Sequence, residues 1–287
     1  FNLKAPRQNI SHRDVLAIAI PMIFSSITIP LAGMVDTAVL GHLDSDDYMG
    51  AVAVASRLLA FLLMIFNFLR MSATGRSAQF YGALDQPGMA RVLAQGLATA
   101  ILIGFLLVLL SAVLGDWGLQ LMGAAPEVTA EARQYFDIRV LAAPFVLANF
   151  VLIGWFIGIH KAKTVLMLLV LNNGINILLD LLFVPVMGFK VEGVAWATVI
   201  GEVVAFIVGS LIALRHESVC HYLRITKQLF NAGEMRLFFQ LNGDLFFRTI
   251  ALMLVFTFFT SQGARQDDVV LAANAVLLQI FLLTAFG

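Results

Sequence analysis

Four polar side chains stand inside long apolar segments of the sequence, and their types suit the binding of a cation. Asp36 interrupts "LAGMVDTAVLG", Asn176 and Asp180 stand in "LNNGINILLDLLFVP", and Thr198 stands in "VEGVAWATVIGE". Carboxylate, carboxamide and hydroxyl oxygens are hard ligands that small cations prefer. Two carboxylates that lie close together could instead store a proton between them. Either chemistry would let the group change its charge during a functional cycle.

The segments that carry these residues are typical of membrane-spanning helices. Hydrophobic residues make up 60% of the chain and charged residues 13%, whereas a soluble domain has about 25% charged residues. The mean hydropathy is +0.91. Apolar runs of about 20 residues, enough to cross the roughly 30 Å hydrocarbon layer, recur along the chain. The sequence therefore predicts an all-α polytopic membrane protein.

Loop charges predict how these spans are oriented. Basic residues precede the first span and fill the connector after the sixth, whereas the loop "HLDSDDY" after the first span is acidic. Because basic residues collect on the cytoplasmic side, we expect a cytoplasmic N-terminus and multiple passes through the inner (plasma) membrane. The sequence predicts eight spans: Val15–Leu40, Met49–Ser72, Val92–Gly115, Ile138–Ile159, Thr164–Val184, Gly193–Leu214, Leu237–Thr260 and Val269–Phe286.

A long basic connector divides the spans into two sets. Residues 1–214 hold spans one to six, residues 215–236 form a cytoplasmic connector, and residues 237–287 hold span seven and part of span eight. The chain starts without Met and stops within an apolar run. We therefore expect a six-helix N-lobe and the start of a second lobe, in a truncated chain.

Counting from the outer ends places the four polar residues at a similar depth. Asp36 and Asp180 each lie about five residues before an outer loop, which is roughly 7 Å along a helix. Asn176 is one turn deeper than Asp180 on the same face, and Thr198 lies about five residues inside the sixth span. Ionisable residues inside a membrane usually mark an ion or substrate route. Asn176 and Thr198, taken alone, could equally serve only to join helices.

Three further features have two interpretations each. Glu202 lies one turn deeper than Thr198 and could extend an ion path or face a watery cavity. Arg57 could neutralise a buried carboxylate or extend toward the outer surface. Pro21 and Pro30 each remove a backbone hydrogen bond from the first span, so either could be a hinge.

Reaction chemistry is not indicated by any motif. All five histidines fall outside the spans, and the sequence has no HExxH, GxSxG or phosphate-binding loop. We therefore expect no enzyme and no organic cofactor. An intramembrane aspartyl enzyme, which would also use two aspartates, is the alternative from another class.

The chain resembles the MATE (multidrug and toxic compound extrusion) transporters, most closely their DinF-like branch. The resemblance rests on "IPMIFSSITIPLAGMVDTAVLGHLDS", "LRMSATGRSAQFYGA", "NNGINILLDLLFVPVMGFKVEGVAWATVIGE" and "LAANAVLL". It implies twelve spans in two six-helix lobes around a central cavity. It also implies a hinge at Pro21. Arg57 and Glu202 match no motif of the family, and we expect them to be supporting residues. The implied site for the coupling ion, H⁺ or Na⁺, consists of Asp36, Asn176, Asp180 and Thr198.

The function implied by the resemblance is cation-coupled antiport. Such a protein exports organic, often cationic and amphipathic, compounds by alternating access. Its partners would be small molecules and membrane lipid, with no nucleic acid, and it would be monomeric. A lipid-linked oligosaccharide flippase of the same superfamily is an alternative, for which Arg57 and Arg248 are the basic candidates well inside the predicted spans. A passive channel, which needs no ion gradient, is a further alternative.

Overall fold

The computed structural model describes residues 32–41, 47–122 and 126–216, with a few further positions at 219, 243–244, 246–248, 250–251 and 255. The chain divides into two compact units, Phe1–Phe239 and Gln240–Gly287. In the first unit the described residues are almost entirely helical. In the second, the described positions are helical as well.

Nine helices are seen in the described part of the first unit. The first, α1, covers residues 32–40. Short 3₁₀ turns at Ile65–Asn67 and Val140–Ala142 join α2 to α3 and α6 to α7. The other helices are α2 (Asp47–Met64), α3 (Phe68–Gly82), α4 (Gln86–Leu109), α5 (Ser111–Met122), α6 (Pro126–Arg139), α7 (Ala143–Gly158), α8 (Ala162–Phe183) and α9 (Val191–Leu214).

Predicted spans two to six are confirmed as five helical segments long and apolar enough to cross a membrane. Their ends differ from the prediction. The second span continues to Gly82, well beyond its predicted end at Ser72, so Arg76 lies on a helix as well. The fourth span extends back to Val128. Hydropathy marks only the apolar part of a helix, and charged residues such as Arg continue a helix well.

The turns after α3 and α7 are the two that the sequence predicts on the cytoplasmic side and the structure describes. The Asp85 side chain caps α4 by accepting a hydrogen bond from the Gly88 backbone N–H at 2.9 Å, with Pro87 in the first turn. This is a favourable helix start because the first N–H groups have no partner within the helix. Leu84 and His160 adopt positive φ angles of 56° and 60°. These left-handed residues reverse the chain immediately after α3 and α7.

Helix α7 is the centre of the lobe and packs against α3, α4 and α9. Trp155 is fully buried and donates its indole N–H to the Met89 carbonyl of α4 at 3.0 Å. Glycines permit close backbone contact around α7. A Cβ at Gly104 of α4 would lie 2.2 Å from Pro144 Cα, so only glycine fits at this crossing. Helix α8 packs mainly against α9, and this pair carries the polar residues described next.

Candidate functional site

The structure brings the four predicted polar residues together on α1, α8 and α9. The Asp36 and Asp180 side chains lie within hydrogen-bond reach of each other. One turn along α8, Asn176 Nδ2 donates to Thr198 Oγ1 of α9 at 3.2 Å. The Thr198 hydroxyl in turn donates to the Val194 carbonyl at 3.0 Å. The three helices that depth counting selected therefore meet at one place.

The two carboxylates are costly to keep in this environment. Asp180 is completely buried, and Asn176 is 5% exposed. No N–H or O–H group in the described part of the chain donates to either carboxylate oxygen of Asp180, and the same holds for Asp36 Oδ1. A buried oxygen without a donor costs on the order of 1–3 kcal/mol, and more when it is charged. Two facing carboxylates form a favourable contact only when a proton or a cation lies between them.

Arg139, and not Arg57, is the guanidinium close to Asp36. Arg139 is half-buried at the end of α6. Arg57 has an exposed side chain on α2. Exposure fits the interpretation in which Arg57 extends outward along the lobe surface.

Glu202 belongs to a second polar group, one turn from the first. Its carboxylate accepts hydrogen bonds from Asn149 Nδ2 of α7 at 2.7 Å and from Asn172 Nδ2 of α8 at 3.1 Å. Asn149 Nδ2 also lies 3.0 Å from the Glu202 carbonyl. The two amide donors fix the position of the carboxylate between three helices.

A cavity of about 260 Å³ opens beside this second group. Its polar wall contains Arg70, Asn149, Asn172, Asn173 and Glu202. The remaining lining comes from apolar side chains of α7, α8 and α9. A space of this size holds several water molecules or a small organic molecule.

The helix register aligns the two polar groups. Asn172 and Asn176 are four residues apart on α8, and Thr198 and Glu202 are four residues apart on α9, so each pair shares a face. Because α8 and α9 are antiparallel, the Asn176–Thr198 and Asn172–Glu202 contacts form consecutive rungs. Gly201 lets the helices approach, since a Cβ there would lie 2.7 Å from Asn172 Oδ1.

Sequence reasoning missed Arg70, Arg139, Asn149 and Asn172. Arg70 lies near the end of the predicted second span, and nothing in the apolar run around it indicates a cavity. Asn149 lies alone in the apolar run "APFVLANFVLIG", which is itself a signal of a buried polar contact. The proposed hinge, Pro21, and its rival Pro30 lie outside the described residues.

The comparisons with known proteins all indicate the same family. A family model described as MatE matches residues 21–182. The DNA damage-inducible protein F of Escherichia coli is 41% identical over 280 residues, which is 96% of this chain and 60% of that protein. The multidrug export protein MepA of Staphylococcus aureus is 22% identical over 193 residues, covering 67% of this chain and 43% of that one. The chain thus spans between two fifths and three fifths of the length of these two relatives.

Solved structures show the same fold. A crystal structure of MATE in the bent conformation superimposes with a TM-score of 0.80 at 22% identity, covering 94% of this chain and 60% of that one. At this level of identity the likeness concerns the fold alone. Because the family model matches more than half of the residues, the chain belongs to the MatE family of membrane proteins.

Proposed function

We propose that the protein is a cation-coupled antiporter, driven by H⁺ or Na⁺, that exports organic and often cationic, amphipathic compounds across the inner membrane. The observation that carries the proposal is the buried contact between the carboxylates of Asp36 and Asp180. At three of their oxygens, no hydrogen-bond donor is found in the described part of the chain. Such a contact needs a positive charge between the two groups. The export activity named for the Staphylococcus aureus relative agrees with this direction of transport.

Coupling follows from the charge of the carboxylate pair. Without a cation, the two like charges repel in a medium of low dielectric constant and favour a conformation that separates or hydrates them. With a cation bound, one of the two negative charges is compensated, the repulsion between the carboxylates is removed and the helices that carry them can close. A ligand shifts a conformational equilibrium only by its difference in affinity for the two states. Loss of the repulsion between Asp36 and Asp180 supplies that difference, and bending of the first span at Pro21 releases the substrate outward.

The oxygens of Asn176 and Thr198 complete the proposed cation site. Both residues lie next to the pair on the α8 and α9 faces that meet. Their carbonyl and hydroxyl oxygens are suitable Na⁺ ligands. For H⁺, the same groups would hold the protonated carboxyl group in place by hydrogen bonds. Both ions are therefore compatible with the residues present.

Reconstitution in vesicles tests the proposal. The whole protein is placed in lipid vesicles, and a pH gradient and a sodium gradient are imposed separately while the movement of ethidium, a fluorescent organic cation, is recorded. We expect one of the two gradients to drive ethidium against its concentration difference. Equal ethidium movement with and without either gradient would indicate a passive channel and would overturn the proposal.

A further inference from the structure

The coupling cation needs a route by which it leaves the carboxylate pair. Asp180 is completely buried and lies about one turn from the C-terminal end of α8, which the predicted orientation places on the outer side. A cation released toward the cytoplasm must therefore pass most of the length of the lobe. Apolar helix surfaces offer it no ligands, and an unpaired charge in a medium of low dielectric constant is very costly.

One polar strip leads from the pair toward the interior of the lobe. The polar strip consists of Asp180, Asn176 and Asn172 on α8, with Thr198 and Glu202 on α9. Successive members on each helix are four residues apart, which is roughly 6 Å along the axis. Hydrogen bonds of 3.2 Å and 3.1 Å join the two helices at the Asn176–Thr198 and Asn172–Glu202 levels. The strip therefore places a polar group at each helical turn between the carboxylate pair and Glu202.

Glu202 ends the strip at the wall of the cavity. Its carboxylate is held by Asn149 and Asn172, yet it also lines the space of about 260 Å³. Each carboxylate oxygen accepts one hydrogen bond from these amides and has further lone pairs for a ligand. Buried next to it, Asn172 Oδ1 has no described hydrogen-bond partner. The site thus offers carboxylate and carboxamide oxygens at the inner end of the strip.

We propose that Glu202 is a second cation acceptor, which takes the coupling cation from the Asp36–Asp180 pair along the polar strip and releases it into the cavity. If the cation is H⁺, an aspartate O–H bond breaks and a Glu202 O–H bond forms, and the proton then passes to water in the cavity. If it is Na⁺, the ion exchanges one set of oxygen ligands for the next. No other reactant is needed. The inference rests on the proposed function, because it assumes a coupling cation.

Substitution of Glu202 separates this role from the alternatives. Glu202→Gln keeps the side-chain length and one acceptor oxygen but removes the negative charge. In vesicles, under the gradient that drives the wild type, we expect Glu202→Gln to slow ethidium transport at least ten-fold. Exchange of ethidium for ethidium without a gradient, which needs no net cation release, should proceed as in the wild type. Glu202→Asp should recover part of the gradient-driven rate because it keeps the charge.

A matched control is Glu192→Gln, which removes a carboxylate from the first turn of the same helix, outside the polar strip. It should transport as the wild type does. Unchanged gradient-driven transport by Glu202→Gln would overturn the proposal. Equal loss of gradient-driven transport and of exchange would overturn it as well, since it would make Glu202 a substrate ligand or a purely structural residue. Absence of gradient-driven transport by the wild type would instead refute the proposed function itself.

Discussion

Replacing Gly201 by alanine should open the contact between α8 and α9 and disconnect the polar strip. A Cβ at this position would lie 2.7 Å from Asn172 Oδ1 and 2.9 Å from the Asn172 carbonyl oxygen. Ordinary van der Waals contact begins near 3.4 Å, so the Asn172 side chain must turn away and the helices must separate by about 0.5 Å to clear the backbone carbonyl. The 3.1 Å Asn172–Glu202 hydrogen bond would then exceed 3.5 Å, and the 3.2 Å Asn176–Thr198 bond would lengthen with it.

The cost of Gly201→Ala can be worked from these distances. Interhelical hydrogen bonds in membranes contribute about 0.6 kcal/mol each on average, so losing two removes roughly 1 kcal/mol. Overpacking adds on the order of 1–3 kcal/mol, and the better helix propensity of alanine returns up to about 1 kcal/mol. The net destabilisation should be about 1–3 kcal/mol. It is measured as a lower midpoint of thermal unfolding for the purified protein in detergent.

Two glycines on the same helix pair provide controls. A Cβ at Gly174 of α8 would meet no atom within 4 Å, and a Cβ at Gly209 of α9 would meet only the methyl ends of Leu152 and Leu168 at 3.1–3.2 Å. Gly174→Ala should be neutral or stabilising, and Gly209→Ala should be tolerated because these side chains can shift. If Gly201→Ala is as stable and as active as Gly174→Ala, the close approach of α8 and α9 is not what holds the strip together.

Three further substitutions test the carboxylate pair, the hinge and the packing around α7. Asp36→Asn should abolish gradient-driven transport while the protein still inserts and folds, because it removes one charge of the facing pair; normal transport by well-expressed variant protein would count against a coupling role. Pro21→Ala should slow transport with a smaller effect on cation binding, and damage by Pro30→Ala in its place would show that the hinge lies there. Gly104→Ala should destabilise the protein more than Gly201→Ala, since its Cβ would lie 2.2 Å from the Pro144 backbone, which cannot give way; thermal unfolding of the two variants side by side decides this.

The grouping of the polar residues could be predicted from the sequence because helices have a regular geometry. A rise of 1.5 Å per residue fixes depth, and a spacing of four fixes the face. Asp36, Asp180 and Thr198 could therefore be placed at one level without coordinates. Spans two to six followed in the same way, since an apolar helix of about 20 residues matches the thickness of the hydrocarbon layer.

The contacts that could not be predicted from the sequence depend on how the helices pack side by side. Asn149 contacts Glu202 across 53 positions of sequence, and no periodicity within α7 or α9 predicts that contact. The proximity of Arg139 to Asp36 could not be predicted either, because it depends on where α6 ends beside α1. The end of the second span was misplaced for a different reason. Hydropathy reports the boundary of the membrane and not the boundary of the helix, which continues to Gly82.

Coupling in the proposed mechanism depends on Asp36 and Asp180 holding the cation that the substrate displaces. Displacement can be observed by adding ethidium to purified protein in weakly buffered detergent solution and recording the release of H⁺ with a pH indicator, or of radioactive sodium from preloaded protein. We expect release from the wild type and none from Asp36→Asn or Asp180→Asn, while ethidium binding itself persists in both variants. Undiminished release from both variants would place the coupling cation elsewhere and contradict the mechanism.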